Sequence, residues 1–546
     1  MNWWRLLLLA VLGLIVAVLV AAFQTTPGYM DADAYYVVGH NLATGQGFTE
    51  PYLWNYLDNP AGIPHPSNSY WMPLASLIAA AGAALLGSGT WFAARAGFLL
   101  IAAALPPLAA ALAWSFKPRP DLAFTSGLLA VFPAFYLPFL TVTDTFGLYM
   151  LLGGLFFLLV FRSTSGFKRS SFLITSLFLG IISGLMHLSR ADGLLWLVMA
   201  ITAILFVLPK PEQSRVPILL YSILLCLTGY LLIMGPWFFR NIRIFGTPLA
   251  PGGTKMLWLT SYDQLFAYPA SQLTFNTWWH SGLAAILQAR AWSLGLNLAN
   301  SLAVQGEIFM LPLIGLGFWS LRKDRRVLLA GLAWLLTIGA MTVIFPFAGA
   351  RGGFFHSGAA LQLVWWALAP LGLERVIEWG RRKRGWNPTQ AGNIFRLALV
   401  VLAGFLTAIL VWSRVIGVGS NPSLQQNPPG QAAQGPAGYA WDQESIAYSK
   451  ISQYLVAQGA AKGDIVMVAN PPGFFLASGN ISTAIPDGDV ETLLAVAQKY
   501  NALYVVLEKG SVPAALLPVY DHPQGQADLI YLGELGQARI FLVRHH

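Results

Sequence analysis

The chain has little charge and almost no cysteine. Asp, Glu, Lys and Arg together make up 10% of its 546 residues, and Cys226 is its one cysteine. A single cysteine excludes an intramolecular disulfide and excludes a zinc or iron–sulfur centre built on cysteines. Soluble globular proteins are about 25% charged. The low charge therefore excludes an ordinary soluble protein for the chain as a whole.

What replaces charge is apolar sequence. Apolar residues make up 56% of the chain, and the mean hydropathy is +0.59. The net charge is +9, but Lys and Arg occur in short runs between apolar segments, which is typical of loops that face anionic lipid. We therefore predict an integral membrane protein that contacts membrane lipids and has no nucleic-acid partner. We interpret Met1 to Ala22 as an uncleaved first helix.

Eleven segments are apolar enough to cross a hydrocarbon core of ~30 Å. They are 5–23, 92–114, 122–139, 146–162, 172–188, 194–209, 217–237, 302–320, 327–346, 356–373 and 394–415. The basic runs fall in alternate loops, and the positive-inside rule then places these loops and the N-terminus in the cytoplasm. The segment 71–87 would reverse every later span, so we interpret it as a re-entrant or interfacial helix.

The composition changes after residue 419. Residues 1–419 form the predicted transmembrane domain, with external loops at 24–91 and 238–301, and the Pro/Gly/Gln-rich stretch 420–438 is a predicted linker. Residues 439–546 alternate helix and strand patterns, with strands expected at 464–469, 502–508 and 538–544. They predict a small soluble α/β domain outside the cytoplasm. Because it has no phosphate-binding loop or nucleophile elbow, we expect a lid or docking module.

The first external loop, residues 24–91, contains no Lys or Arg but carries Asp31 and Asp33 beside Tyr35 and Tyr36. Two carboxylates at this spacing can hold a divalent cation or supply a general base. The neighbouring tyrosines can stack on a sugar ring. The alternative is structural, since both Asp can cap a surface helix that starts near Ala34.

Four motifs up to residue 250 resemble the GT-C class of integral-membrane glycosyltransferases. This class includes protein O-mannosyltransferases (family 39-like), aminoarabinose transferases and the oligosaccharyltransferase catalytic subunit. The motifs are the Asp31-Ala-Asp33-Ala-Tyr35-Tyr36 segment, Asp144 in LTVTDTFG, LSRADGLL at 188–195 and GPWFFRNIRIFGTP at 235–248. The chain differs from the lipid A and mannosyl branches, which usually have Asp-Glu where Ala32 follows Asp31, and a Lys-Pro-Pro-like motif where His65-Pro66-Ser67 stands.

The resemblance implies an all-α polytopic fold and a polyprenyl-phosphate sugar donor, with a lipid, glycan or protein as acceptor. It assigns catalysis to Asp31, Asp33 and Asp144, with Asp31 and Asp33 as the option for a divalent cation. Charged groups at the outer ends of helices are expected to meet the donor phosphate; the candidates are Arg190, Arg240, Arg351 and His356. The remaining candidates for substrate contacts are Tyr35, Tyr36, Asp58, His65 and Glu307. The structural alternative for the arginines is snorkelling to lipid headgroups.

The sequence thus predicts sugar transfer outside the cytoplasm, with an aspartate as general base and inversion at the anomeric carbon. Two other functions stay open. A secondary transporter would use Asp31, Asp144 and Glu307 as ion-coupling groups in broken helices. A non-catalytic scaffold would bind its partner through the C-terminal domain.

Overall fold

Apolar helices dominate the computed structural model, which describes residues 2–162, 169–207, 215–417 and 438–544. All but the last residue of the predicted linker 420–438 lies outside the described residues. The α-helices are Trp3–Ala21, Met30–Ala43, Leu74–Leu85, Trp91–Phe116, Pro120–Val131, Leu137–Leu140, Thr145–Arg162, Arg169–Ser189, Leu194–Val207, Arg215–Phe245, Pro251–Lys255, Phe275–His280, Leu283–Asn300, Leu311–Ser320, Arg325–Gly339, Pro346–Ala348, Phe354–Gly358, Gln362–Arg384, Pro388–Val411, Gln443–Ala457, Pro471–Ser478, Val490–Tyr500 and Leu517–Asp521.

Within the described ranges, eight helical stretches are long and apolar enough to cross a membrane. They are Trp3–Ala21, Trp91–Phe116, Pro120–Leu140, Ser170–Ser189, Val216–Phe245, Arg325–Ile344, Pro346–Arg384 and Pro388–Ile416. Two shorter apolar helices, Thr145–Phe161 and Ala191–Phe206, coincide with two of the other predicted spans. The prediction of one continuous helix over 302–320 is wrong, because the chain breaks after Gln305 and the helix Leu311–Ser320 forms only the second half. The prediction of a polytopic helical membrane protein is confirmed. Leu74–Leu85 has 12 residues, about 18 Å of helix, which is short of the ~30 Å core.

The outer faces of the long helices are apolar. Leu100, Leu220 and Phe405, on three different helices, are 66%, 61% and 65% exposed. The inner faces pack into one large cluster that includes Leu9, Leu105, Phe156 and Trp366. Helices that are apolar outside as well as inside are typical of proteins whose surface faces lipid.

The loops predicted to be cytoplasmic meet at one end of the molecule. Lys117 Nζ lies 2.6 Å from Glu374 Oε2, and Arg119 pairs with the same carboxylate. Arg326 Nη1 donates to the carbonyl oxygen of Ser115 over 2.9 Å. Three loops that are far apart in sequence therefore share one face, as the distribution of basic residues requires.

Residues 438–544 contribute five strands to the main sheet, and the sixth strand of that sheet comes from the first external loop. In chain order the strands are β1 (Thr49–Glu50), β2 (Tyr52–Leu53), β3 (His65–Pro66), β4 (Ile465–Val468), β5 (Ser482–Ala484), β6 (Ala502–Glu508), β7 (Leu529–Leu535) and β8 (Ala538–Val543). β1 pairs with β3, and the main sheet has the order β2-β5-β4-β6-β8-β7. β2, β5, β4 and β6 are parallel, and β6, β8 and β7 are antiparallel. The sequence patterns had indicated three of these strands, β4, β6 and β8.

Further contacts fasten the C-terminal domain to the first external loop. Asp442 Oδ1 accepts from the backbone N–H groups of Thr25 (3.1 Å) and Thr26 (3.0 Å). The Trp441 indole donates to the Thr26 carbonyl over 3.1 Å and covers Gly28. Gly28 has φ +94°, and a Cβ there would lie 2.1 Å from Trp441 Nε1. The loop and the domain therefore form one unit on the same side of the helices.

Candidate functional site

The helix Met30–Ala43 places its two acids on different faces. It begins after Tyr29, so Asp31 and Asp33 lie in its first turn, where acids complement the helix dipole. Two residues correspond to a rotation of about 200°. The Asp31 side chain is 33% exposed, whereas Asp33 is 5% exposed. The predicted pair of neighbouring carboxylates is thus divided between two environments.

Asp31 meets Asp144 and His356. Its Oδ2 lies 3.7 Å from His356 Nε2, and His356 Nδ1 lies 3.7 Å from Asp144 Oδ1. One ligand atom from each of the three residues falls within 4.8 Å of the others, and among the described residues this is the group that can hold a metal ion. The ring of Phe146 stacks on His356 with centroids 3.7 Å apart. The structure thus brings together Asp31 and Asp144, which come from two predicted motifs, with His356, which was a candidate only as a charged group at a helix end.

The surroundings hold both carboxylates in place. The Tyr29 hydroxyl and the Thr145 backbone N–H donate to Asp144, and the Trp71 indole donates to Asp31. Burial and the nearby charge of Asp144 together raise the pKa of Asp31 to about 7, against the opposing effect of Arg190. Burial likewise raises the pKa of Asp144, against its hydrogen bonds from Tyr29 and Thr145. Two acids this close titrate as a coupled pair.

Arg190 supplies positive charge to this centre and is held by Asp192. Arg190 Nε donates to Asp192 Oδ1 over 2.9 Å, and Ser357 Oγ donates to Asp192 Oδ2 over 2.6 Å. Gly193 lies so close to the preceding helix that a Cβ would come within 2.3 Å of the Met186 carbonyl oxygen. The Arg-X-Asp-Gly motif therefore has a local structural reason for each of its three residues.

Arg351 and Tyr35 also lie around this centre. Arg351 is exposed, and its guanidinium is 4.8 Å from the ring centroid of Tyr262, a tyrosine that feels the charges of both Asp31 and Arg351. Tyr35 is 3% exposed and packs against Trp71. Arg351 thus places a positive charge at the exposed edge of the site. Tyr35 packs inside the protein, and little of its surface is available to a sugar.

Arg240, Asp58 and His65 form a separate polar cluster with Glu50. Arg240 Nη2 donates to the Ser67 carbonyl over 2.7 Å. His65 lies 2.9 Å from Asp58 and 3.4 Å from Glu50. Burial opposes protonation of His65, but its two acidic partners outweigh this and raise its pKa to about 9. These side chains fasten the loop to the helix Arg215–Phe245, and their phosphate and substrate roles stay predictions.

Glu307 lies elsewhere, at a break between two helices. It is 1% exposed, and Oε1 accepts from the Trp366 indole over 2.8 Å. Its contacts are with membrane-embedded helices and not with the acids of the first external loop.

Asp33 faces the C-terminal domain. Asn470 Nδ2 donates to Asp33 Oδ2 over 3.1 Å and to Glu444 Oε1 over 3.0 Å. A cavity of ≈210 Å³ lies here, lined by Asp33, Tyr36, Glu444 and others. Burial raises the pKa of Glu444 to about 7 and also raises the pKa of Asp33.

Sequence reasoning missed the residues that orient this constellation. They are Tyr29, Trp71, Thr145, Tyr149, Tyr262, Ser357, Glu444 and Asn470, all named by the contacts above or by a hydrogen bond to Asp192. Tyr29 and Thr145 directly neighbour predicted site residues, which was a usable signal. Glu444 and Asn470 had none, because only the sheet brings the C-terminal domain to the loop.

Comparison with known proteins gives structural neighbours only. No protein-family model and no curated protein sequence matches the chain. The oligosaccharyltransferase AglB from Archaeoglobus fulgidus, in complex with an inhibitory peptide and a dolichol-phosphate, has a TM-score of 0.54 at 12% identity, over 98% of this chain and 74% of that one. The same enzyme with Zn and sulfate has a TM-score of 0.52 at 13% identity, over 92% and 67%.

ArnT from Cupriavidus metallidurans bound to undecaprenyl phosphate has a TM-score of 0.54 at 12% identity, over 98% of this chain and 97% of that one. Sequence identities this low establish the fold alone. The chain has the GT-C fold of integral-membrane glycosyltransferases, as the resemblance of its motifs predicted.

Proposed function

We propose that this protein is a membrane glycosyltransferase that moves a sugar from a polyprenyl-phosphate donor to an acceptor outside the cytoplasm. The observation that carries the proposal is the convergence of Asp31, Asp144 and His356, with Arg190 close enough to lower the pKa of both acids. A partly exposed carboxylate beside a second acid, an imidazole and an arginine suits the transfer of a group from a phosphate.

The structural neighbours support the donor class. AglB was solved with a dolichol-phosphate and ArnT with undecaprenyl phosphate. Both ligands are polyprenyl phosphates, and this chain covers 97% of the length of that ArnT structure. The acceptor is a lipid, a glycan or a protein, and the sugar is not assigned.

Asp31, Asp144 and His356 fit a divalent cation. Carboxylate oxygens with an imidazole nitrogen suit Mn²⁺ or Zn²⁺, and the three ligand atoms lie within 4.8 Å of one another. When bound, the cation would neutralise charge on the donor phosphate. In the proposed cation site, Asp144 and His356 therefore replace Asp33 as the partners of Asp31.

Sugar transfer needs a base for the acceptor hydroxyl and positive charge that stabilises the departing phosphate. Asp31 takes the proton of the acceptor hydroxyl, because its carboxylate is the accessible one of the two acids that meet here. The hydroxyl oxygen bonds to the anomeric carbon as the bond to the phosphate oxygen breaks, with inversion. Arg190, and Arg351 at the rim, stabilise the departing phosphate anion.

Asp33 receives a different role from the one expected. It is buried, and Asn470 of the C-terminal domain holds it, so we assign it to positioning the helix that carries Asp31. We also place the N-terminus in the cytoplasm and the C-terminal domain outside. The shared sheet supports this, since it requires the domain and the first external loop to lie on the same side.

The test is sugar transfer from radiolabelled polyprenyl-phosphate sugars to a native lipid and protein extract, in membranes that express each variant. Asp31→Asn should abolish transfer at unchanged expression, because the amide is not a base. Asp33→Asn is the matched control from the same helix, and it should retain a measurable fraction of the transfer.

The two variants separate the possible outcomes. If Asp33→Asn abolishes transfer and Asp31→Asn does not, the base assignment is wrong while the reaction class stands. If the wild type transfers none of the labelled sugars, the proposed function itself is wrong, and the transporter or scaffold interpretation takes its place.

A further inference from the structure

A helix break lies behind the short helix that carries His356. Leu283–Asn300 continues as a π-helix to Gln305, and the next helix begins at Leu311. Glu307 and Ile308 lie between these two helices and have φ values of 43° and 63°, which residues other than glycine rarely adopt. The helix Leu311–Ser320 leads from the break to the basic turn at Arg322. Ten helical residues span about 15 Å, which places Glu307 near the middle of a ~30 Å core.

Three polar side chains at this break have unpartnered atoms. Within the described part of the chain, Gln305 Nε2, Glu307 Oε2 and Gln362 Oε1 are buried and make no hydrogen bond. The residues are 5%, 1% and 0% exposed. Each such atom costs about 1–3 kcal/mol when it is left unpaired. Three of them on residues that meet at one helix break therefore point to an occupant.

Direct contacts hold the three side chains around the same break. Gln362 Nε2 donates to the backbone carbonyl of Gln305 over 3.2 Å, and the Trp366 indole donates to Glu307 Oε1 over 2.8 Å. Gln362 and Trp366 are four residues apart on one helix and therefore share a face. That face covers the break on both sides of Gly306.

The chemistry of the free atoms identifies the occupant. Gln305 offers a donor and Gln362 an acceptor, while an ionised carboxylate at mid-membrane is costly without a compensating positive charge. The titratable side chain that faces Glu307 within the described chain is Tyr136, which carries no positive charge. We propose that Gln305, Glu307 and Gln362 form an intramembrane site for a proton and a water molecule. The proton is on Glu307, and the water accepts from Glu307 and Gln305 and donates to Gln362. Three hydrogen bonds are typical of buried water.

This site lies directly against the helix Phe354–Gly358. A Cβ on Gly358 would lie 2.1 Å from Gln305 Nε2, so the glutamine amide packs on that helix two residues after His356. Tyr136 connects the same elements, because its hydroxyl donates to the Phe355 carbonyl over 3.2 Å. The proton and the water thus fix the packing beneath His356. The binding itself is independent of the proposed function.

The test is infrared spectroscopy of the purified full-length protein in lipid nanodiscs, at a pH well above that at which exposed glutamates ionise. The wild type should show the carbonyl band of a protonated carboxylic acid that Glu307→Gln removes. Gln362→Leu should shift this band without removing it, because the bound water loses its acceptor. Glu378→Gln is the control: this glutamate is paired with Arg381 and Arg382 at the basic end, so its removal should leave the band in place.

The thermal midpoint gives a second readout. Glu307→Gln should keep the midpoint of the wild type because it remains a neutral partner for Trp366, while Glu307→Leu should lower it. If no protonated-acid band disappears in Glu307→Gln, the proton assignment is wrong. If the thermal midpoint of the wild type is higher in Na⁺ than in choline, and that of Glu307→Gln is not, the site binds a metal cation and the proton assignment is wrong. If the band does not shift in Gln362→Leu, the assignment of a bound water is wrong.

Discussion

At the scale of single residues, Asp192 shows how the site is kept in order. Asp192 accepts hydrogen bonds from Arg190 and Ser357 at once. The orientation of the Arg190 guanidinium is therefore set by a residue that need not touch substrate. Asp192→Asn should reduce kcat/KM for the donor about tenfold, or about 1.4 kcal/mol, because Arg190 loses its charged partner. Asp324→Asn removes a comparable partner from Arg326 at the opposite end and should leave kcat/KM unchanged. Equal losses in both variants would assign Asp192 a purely structural role.

His65 makes a prediction about pH. Its pKa is raised to about 9 by Asp58 and Glu50 against the cost of burial, and the unfolded value is ~6.5. The stabilisation is therefore complete below about pH 6.5 and is lost as the pH rises through about 9, with a magnitude of about 3 kcal/mol. The thermal midpoint of the wild type should fall across this window. In His65→Gln the midpoint should be lower at acidic pH and flatter across the window, and an equally steep fall would exclude His65 as the cause.

At the scale of elements, the helix Met30–Ala43 is positioned from the C-terminal domain. Asn470 caps the helix Pro471–Ser478 and also donates to Asp33, two residues from the proposed base. Asn470→Ala removes the side-chain hydrogen bond to a buried carboxyl, which costs about 1–3 kcal/mol. We expect a lower thermal midpoint and a large loss of transfer. The double variant Asp33→Asn with Asn470→Asp keeps a carboxyl–amide pair, so its midpoint and its transfer should both exceed those of Asn470→Ala.

The matched control is Asn387→Ala. Asn387 caps the helix Pro388–Val411, which packs beside the basic loops, so its removal should cost stability without a selective loss of transfer. If Asn387→Ala impairs transfer as much as Asn470→Ala at equal stability, the link from Asn470 to the reaction centre is not specific.

At the scale of the whole molecule, the first external loop joins two layers. It supplies Asp31 to the membrane side and β2 to the sheet of the C-terminal domain. Gly28→Ala should separate them, because its φ of +94° disfavours a side chain and its Cβ would meet Trp441. We expect a destabilisation of about 1–3 kcal/mol together with faster hydrogen exchange in β2 and β5. Gly62→Ala, where nothing lies within 4 Å of a Cβ, should change neither.

The sequence by itself determined the membrane class, most of the helices that can cross a membrane and the gathering of basic loops at one end of the molecule. The total of eleven spans and the cytoplasmic side of those loops stay predictions. Hydropathy and charge act locally along the chain, so these features need no knowledge of distant contacts. It also pointed to Asp31, Asp144, Arg190 and His356. Tertiary structure alone decided that they converge and that Asp33 does not join them, because helix rotation and long-range packing set which side chains meet. It also decided that β2, separated from β5 by more than 400 residues, completes the C-terminal sheet, since a two-residue strand carries no periodicity to predict.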